Sequence, residues 1–399
     1  MTEAEISSQT HGHSEMSRRY DVDWLRVLGM MTVFLFHSAR FFDTGGWHVK
    51  SPHTSEALSF ITLTVTIQWM MPLFFLLSGI GAYHALRHQR WLQYLVSRLK
   101  RLVVPLLFGI FVIIAPWQVY LERVSNKQFS GSFWHFYWHN YFSGWYGLGG
   151  NFAWMGIHLW YLEALFVFCL ITLPLLLLLQ SRAGDRLMAG LSRAMRIPGL
   201  IFLLAIPIAI MEGLANSPTL RGSLLGQRDF GGWSLLPYVA IFSVGFLLAA
   251  DEKMSQAAER HRFAGVAVAI ATFITAYTAM KQYGLTENSI SISILRGLLC
   301  WAGLIAICGF ASRYLRFSNR FLRYANEAVL PFYILHQTVI LTIGFYVIRL
   351  DTSLWVEYLI IAFSAFAATV TVYELLVKRF NSLRFLFGMK LLRRPDASS

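Results

Sequence analysis

Apolar residues run through this chain in blocks long enough to cross a bilayer, divided by short polar or basic segments, from residue 24 to residue 377. A helix rising about 1.5 Å per residue needs about 20 apolar residues to cross a hydrocarbon core of about 30 Å. Ten blocks fit that length, near 24–42, 58–84, 102–121, 158–180, 198–214, 234–250, 263–281, 291–311, 325–347 and 353–377. The pattern predicts an all-α, polytopic integral membrane protein of about ten transmembrane helices. Its membrane domain covers 21–380, between an N-terminal segment 1–20 and a basic tail 381–399. The first block is too long and too rich in Arg and His for a cleaved signal peptide, and no small-residue cleavage site follows it, so it reads as a permanent span. The opening stretch "MTEAEISSQTHGHSEMSR" is polar and expected to be mobile.

Composition agrees with this reading: 56% of residues are hydrophobic and 14% charged, where a soluble protein carries about 25% charged residues. The net charge of +13 changes the picture only through its placement. The N-terminus and segments 85–101, 181–197, 251–262, 312–324 and 378–399 hold 24 Lys and Arg, and the opposite segments hold 7. Cationic loops stay on the cytoplasmic side, so both termini are expected inside, as for a bacterial inner-membrane protein. The basic charge is then a topology signal, and a nucleic-acid partner has nothing to rest on. Cys169, Cys300 and Cys308 all fall inside spans with no CxxC, so they read as small core residues, with no disulfide and no metal site expected. The cluster "SGWYGLGGN" (143–151) lacks the strand-then-helix setting of a phosphate loop.

Three groups in the first span are costly in hydrocarbon: Arg26, His37 and Arg40. At about 100° per residue, the step from Arg26 to His37 is three turns plus about 20°, so the two share a face. Arg40 continues the stripe. The rise between Arg26 and His37 is about 16 Å, which puts Arg26 near one interface and His37 near mid-membrane. Either arginine alone can snorkel, and a lone buried His is often only a hydrogen-bonder. A His with a reference pKa near 6.5 can also take and return a proton.

Other polar positions are open to two readings. Glu163, within the fourth span, either pairs with His37 or an Arg, or bonds structurally between helices. His336, with Glu327 nine residues earlier, is a site residue or a structural one. Arg296 meets an anionic acceptor or a lipid headgroup, and Glu212 and Glu374 read as interfacial. Between Phe129 and Trp154, twelve of 26 residues are aromatic. They form an interfacial belt, or a platform for sugar rings that Trp47 and His48 could join. The stretch "RHQRWLQYLVSRLKR" (87–101) reads as a basic inner loop.

Arg, ten residues, then His in the first span resembles the signature of the membrane acyltransferase-3 family. "MPLFFLLSGIGAYHAL" (71–86), "RLKRLVVPLLFG" (98–109), "HLWYLEALF" (158–166) and "NEAVLPFYILHQTVI" (326–340) resemble further segments of that family in the same order. "GWHVKS" (46–51) and "YELLVKRFNSLRFLFGMK" (373–390) are similar to its glucan-succinylating branch. The resemblance implies transfer of an acyl group, acetyl or succinyl, from cytoplasmic acyl-CoA to a hydroxyl of an extracytoplasmic glycan or glycolipid. It implies no permanently bound cofactor, acyl-CoA being a substrate. In that scheme Arg26 binds a donor phosphate or carbonyl. His37 is the general base. Arg40 and Ser78 are candidate oxyanion donors. Arg98 and Arg101 attract the donor's phosphates, and Glu163, His336, Trp47 and His48 support the site. The rivals are a lipid or small-molecule acceptor, a scaffold, and a transporter or flippase. Against the last, the sequence shows no internal repeat and no matched pair of interrupted helices.

Overall fold

The structure, a computed structural model, describes residues 19–112 and 114–392. The expected mobile segment at residues 1–18 and the end of the basic tail, 393–399, lie outside the described residues. Ten elements follow one another: α1 (Tyr20–Ala39), α2 (Glu56–His88), α3 (Trp91–Ser125), α4 (Ile157–Ile171 with Leu173–Leu179), α5 (Leu200–Ala215), α6 (Leu235–Ala250), α7 (Arg262–Tyr283), α8 (Ile290–Tyr314), α9 (Arg320–Val347) and α10 (Leu354–Val377). Shorter helices, among them Arg182–Ala194 and Glu252–Arg260, lie between them. Among the described residues there is no strand, only two isolated bridges. The all-α membrane class is therefore as the hydrophobic pattern predicts.

The expected number of spans is slightly high. Among the described residues, six helices are long and apolar enough to cross a membrane, and eight if each of two bent pairs is one span. The remaining two of the ten are α1, which carries Asp21, Asp23, Arg26 and His37 within 20 residues, and α5, a shorter apolar helix. In α4 the axis turns by 53°. Pro174 sits in the first turn after the break, and the Thr172 hydroxyl donates to the Phe168 carbonyl at 2.6 Å; both are ordinary causes of a kink.

The basic stretch 87–101 is not a loop. It is helical from Trp91, and the turn at Leu99–Val103 widens to a π-helix before α3 continues. Arg, Lys, Leu and Gln are all good helix formers, and the charges there do not interrupt the hydrogen-bond ladder.

α9 lies at the centre, packed against α1, α3 and α10. α7 lies at the edge and buries only Gly265 and Thr272. In lipid, helices associate through close packing of small residues rather than through the hydrophobic effect. The tightest case is α2 against α6. A Cβ built on Gly79 would stand 2.0 Å from the Phe242 carbonyl oxygen, and one on Gly245 2.1 Å from that of Leu76. Two backbones touch there, and no side chain can yield.

Replacing Gly245 with Val should therefore separate α2 from α6. We expect a loss of about 1–3 kcal/mol or more, read as a lower melting temperature in detergent. Gly46→Ala, whose added carbon meets nothing within 4 Å, should melt like the wild type.

Candidate active site

Of the stripe on α1, Arg26 alone opens onto a cavity of 1110 Å³ at the basic end of the bundle. Arg26 lines it with Met30 and Val33, one and two turns further along the helix. Its guanidinium donates to Asp23 at 3.0 Å and leans toward the Leu77 carbonyl. Around the mouth stand Arg98, Lys100, Arg101, Arg323, Arg384 and Lys390, against a single carboxylate, Glu327, which Arg384 holds at 3.1 Å. The deeper walls are apolar: Met71, Phe74, Leu77, Leu162 and Leu165. Ser78 and Tyr161 are the exception, their hydroxyls 2.7 Å apart, with Tyr161 donating to the Phe74 carbonyl. The cavity ends at Tyr333, whose ring lies 5.9 Å from those of Tyr161 and His336.

His37 stands just past that wall. Its imidazole is stacked on Trp47, centroids 6.0 Å apart at 16°, and lies 5.3 Å from the His336 ring. His336 is fully buried, and its Nδ1 donates to the Tyr333 carbonyl at 2.6 Å. A third imidazole, His158, meets His336 edge-on at 5.3 Å. Its Nε2 donates to the carbonyls of Tyr333 and Ile334, both at 3.2 Å, and its Nδ1 accepts from Gln118 at 3.2 Å. Gln118 in turn donates to Thr338 at 2.7 Å and accepts from Gln337 at 3.1 Å. Three histidines from α1, α4 and α9 thus form one line.

Trp47 is held in place by charge. The loop after α1 folds back because Arg40 and Lys50 both grip the fully buried Asp43, at 2.5 and 3.0 Å. Burial pushes the Lys50 ammonium below its ordinary range, and Asp43 opposes that shift. Phe41 meets Trp47 edge-on at 4.8 Å. It fits only because residue 344 is glycine, where a Cβ would lie 2.1 Å from the Phe41 ring. Arg40 therefore braces the loop that carries Trp47, with its guanidinium committed to Asp43 and the Gly46 carbonyl. Further out, His48 pairs with Glu122, which also accepts from Tyr146 at 2.6 Å and Arg123 at 3.1 Å. Burial, then the Glu122 carboxylate, raise the Tyr146 hydroxyl above its ordinary value.

The structure thus gathers Arg26, Ser78, Arg98 and Arg101 around one cavity, and His37, His336, Trp47 and His48 in a second group beyond it. Glu163 belongs to neither. It forms no pair with His37 or an arginine, and its Oε2 is buried without a partner. Five residues separate it from His158, about 140° around a helix, so with His158 turned toward α9 it faces elsewhere. Glu212, in the last turn of α5, is fully buried within the protein, 2.6 Å from Arg228 and 3.4 Å from Arg296. Arg296 lies over the Trp233 ring at 4.4 Å. Sequence reasoning passed over His158, Tyr161 and Tyr333, which are uncharged. The signal available was that each sits in a quoted segment, His158 and Tyr161 in "HLWYLEALF" and Tyr333 beside His336 in "FYILH".

Comparison with known proteins adds to this geometry. The profile of the acyltransferase-3 family, described as an acyltransferase domain, matches residues 19–374. "Glucans biosynthesis protein C" of Escherichia coli SMS-3-5 is 24% identical over 395 residues, covering 95% of this chain and 97% of the relative. The protein of the same name from Escherichia coli K12 is 23% identical over the same shares. No solved structure matches.

Removing the carboxylate at Asp43 leaves two cations facing each other in a mostly buried loop. Asp43→Ala should destabilise the protein by about 3–5 kcal/mol, as expected for a broken buried ion pair, measured by thermal unfolding in detergent. Asp351→Asn, at an exposed pair with His53, should shift it negligibly, since Asn keeps the left-handed backbone there at no cost.

Proposed function

The chain belongs to the membrane acyltransferase-3 family, and from that premise we propose that it moves an acyl group from cytoplasmic acyl-CoA to a hydroxyl of an extracytoplasmic glycan. In this reading the basic end faces the cytoplasm, with both termini there, and the aromatic end faces outward. The observation that carries it is the cavity of 1110 Å³, cationic at its mouth and apolar in its depth, which ends beside the line of histidines. That is the polarity of an acyl-CoA: phosphates at one end, a thin pantetheine arm, a thioester at the tip. Arg98, Lys100, Arg101 and Arg323 hold the phosphates as multidentate or point cations. The rise of about 16 Å along α1 from Arg26 to His37 is the path of the arm.

The acceptor approaches from the other side, past Trp47. Its hydroxyl oxygen attacks the thioester carbonyl carbon while His37 takes the hydroxyl proton. The C–S bond then breaks, and the proton passes to the leaving thiolate, giving free CoA and an ester. The Ser78 hydroxyl, turned from its bond to Tyr161, supplies a donor in the path of the thioester oxygen. Acetyl and succinyl are the two donors this reading names, and no bound cofactor is required. The glycan acceptor draws on the resemblance to proteins named for glucan biosynthesis and on Trp47, His48 and the aromatic segment outside.

Labelled acetyl-CoA and succinyl-CoA, supplied to membranes with outward glycans, should label the glycan in the wild type. His37→Ala should lower the rate about 10²–10⁴-fold at matched expression, the usual worth of a general base. No label from either donor, or equal label from both proteins, would reject the reading. The double variant Arg98→Ala, Arg101→Ala should raise KM for the donor, with the effect shrinking at high salt as for any exposed charge contact.

A further inference from the structure

Resting on that reading of His37, the geometry points to a role for His336: we propose that it fixes the tautomer of His37. The hydrogen bonds decide which ring atoms carry protons. A backbone carbonyl only accepts, so the Nδ1 of His336, 2.6 Å from the Tyr333 carbonyl, must be protonated. In the neutral ring its Nε2 is then a bare lone pair. That Nε2 is buried and has no partner, and so is the Nδ1 of His37. Among the described residues these are the two histidine ring nitrogens left in that condition, and they belong to neighbouring rings 5.3 Å apart.

Two orphan groups side by side in a low-dielectric interior satisfy each other if one donates and the other accepts. His336 can only accept. His37 must therefore carry its proton on Nδ1 and donate it to Nε2 of His336, a contact that tightens when the reactants are bound. The other nitrogen of His37, Nε2, keeps its lone pair for the acceptor hydroxyl. The pairing follows the logic by which a second group orients a catalytic imidazole, with one change. The orienting group is a neutral imidazole in place of a carboxylate, which at this depth would carry a heavy desolvation cost unless paired. His336 is fully buried, so it reaches no substrate and acts only through His37. It neither gains nor loses a proton in the cycle.

His158 keeps the acceptor in place. Its own Nε2–H also ends on the Tyr333 carbonyl, and its ring closes edge-on against His336. Swinging His336 away would break the Tyr333 bond and open a gap beside His158. Trp47, stacked on His37, restrains that ring as well.

Two measurements test this. In the acyl-transfer assay, His336→Gln replaces Nε2 with an amide that can still accept, and His336→Leu removes the acceptor at similar bulk. We expect His336→Gln to keep kcat within a few-fold and His336→Leu to lower it about 10–100-fold, the usual effect of losing an orienting partner, with KM for acyl-CoA unchanged in both. If His37→Ala abolishes transfer while His336→Leu matches the wild type, or if Gln and Leu lose equally, the proposal is overturned and the acyl-transfer reading stands. If His37→Ala has no effect, it is that reading which fails. The second measurement reads the tautomer in the wild type itself. Nitrogen-15 spectra of histidine-labelled wild type, with His37 assigned by its loss in His37→Ala, should show the ring protonated on Nδ1. A His37 protonated on Nε2 alone would overturn the proposal.

Discussion

A polar side chain carried into a bilayer has no water to fall back on, so the protein itself must supply every partner. The arrangement around α1 follows from this one requirement. Arg26 has Asp23 on its own helix and a cavity to open into. Arg40 has Asp43, and in reaching it bends the chain back over the helix end. Among the described residues His37 has no charged partner, and its neighbours are rings: Trp47, Phe36 and His336. Elsewhere the same rule produces the Glu212–Arg228–Arg296 cluster and the glutamine bridge among Gln118, Thr338 and Gln337.

Much of this was legible in the sequence, because hydrophobic blocks and helical spacing are local properties. The membrane class, the order of the spans and the shared face of Arg26 and His37 need nothing beyond a period of 3.6 residues. Where the chain departs from expectation, the cause is tertiary. The basic stretch 87–101 reads as a loop by charge, yet its residues favour helix and line a cavity mouth that residues from α9 and the tail complete. Glu163 was judged by its cost in lipid, but which side of α4 it faces depends on His158 docking against α9. His158 and Tyr333 went unweighted because neutral hydrogen-bonders carry no mark of expense; they gain meaning only when three helices bring them to one carbonyl.

The two halves of the site also differ in how they are built. Around the cavity, contacts are made by long flexible cations and by Met and Leu, with much free volume. Around His37 they are ring against ring, and glycine at 344 allows Phe41 to close the last gap. A loose entrance suits a long donor that must enter and leave. A rigid end suits a reaction that depends on the placement of one proton.

That rigid end has a further consequence. An acyltransferase built into a membrane works in a wall that must not leak. The indole of Trp47 lies flat on His37, with Phe41 behind it, and its loop is cross-tied by Arg40, Asp43 and Lys50. Rings set against one another at that point narrow the way that water and ions would have to follow. The same stack that steadies the imidazole thus also stands as a plug in the bundle.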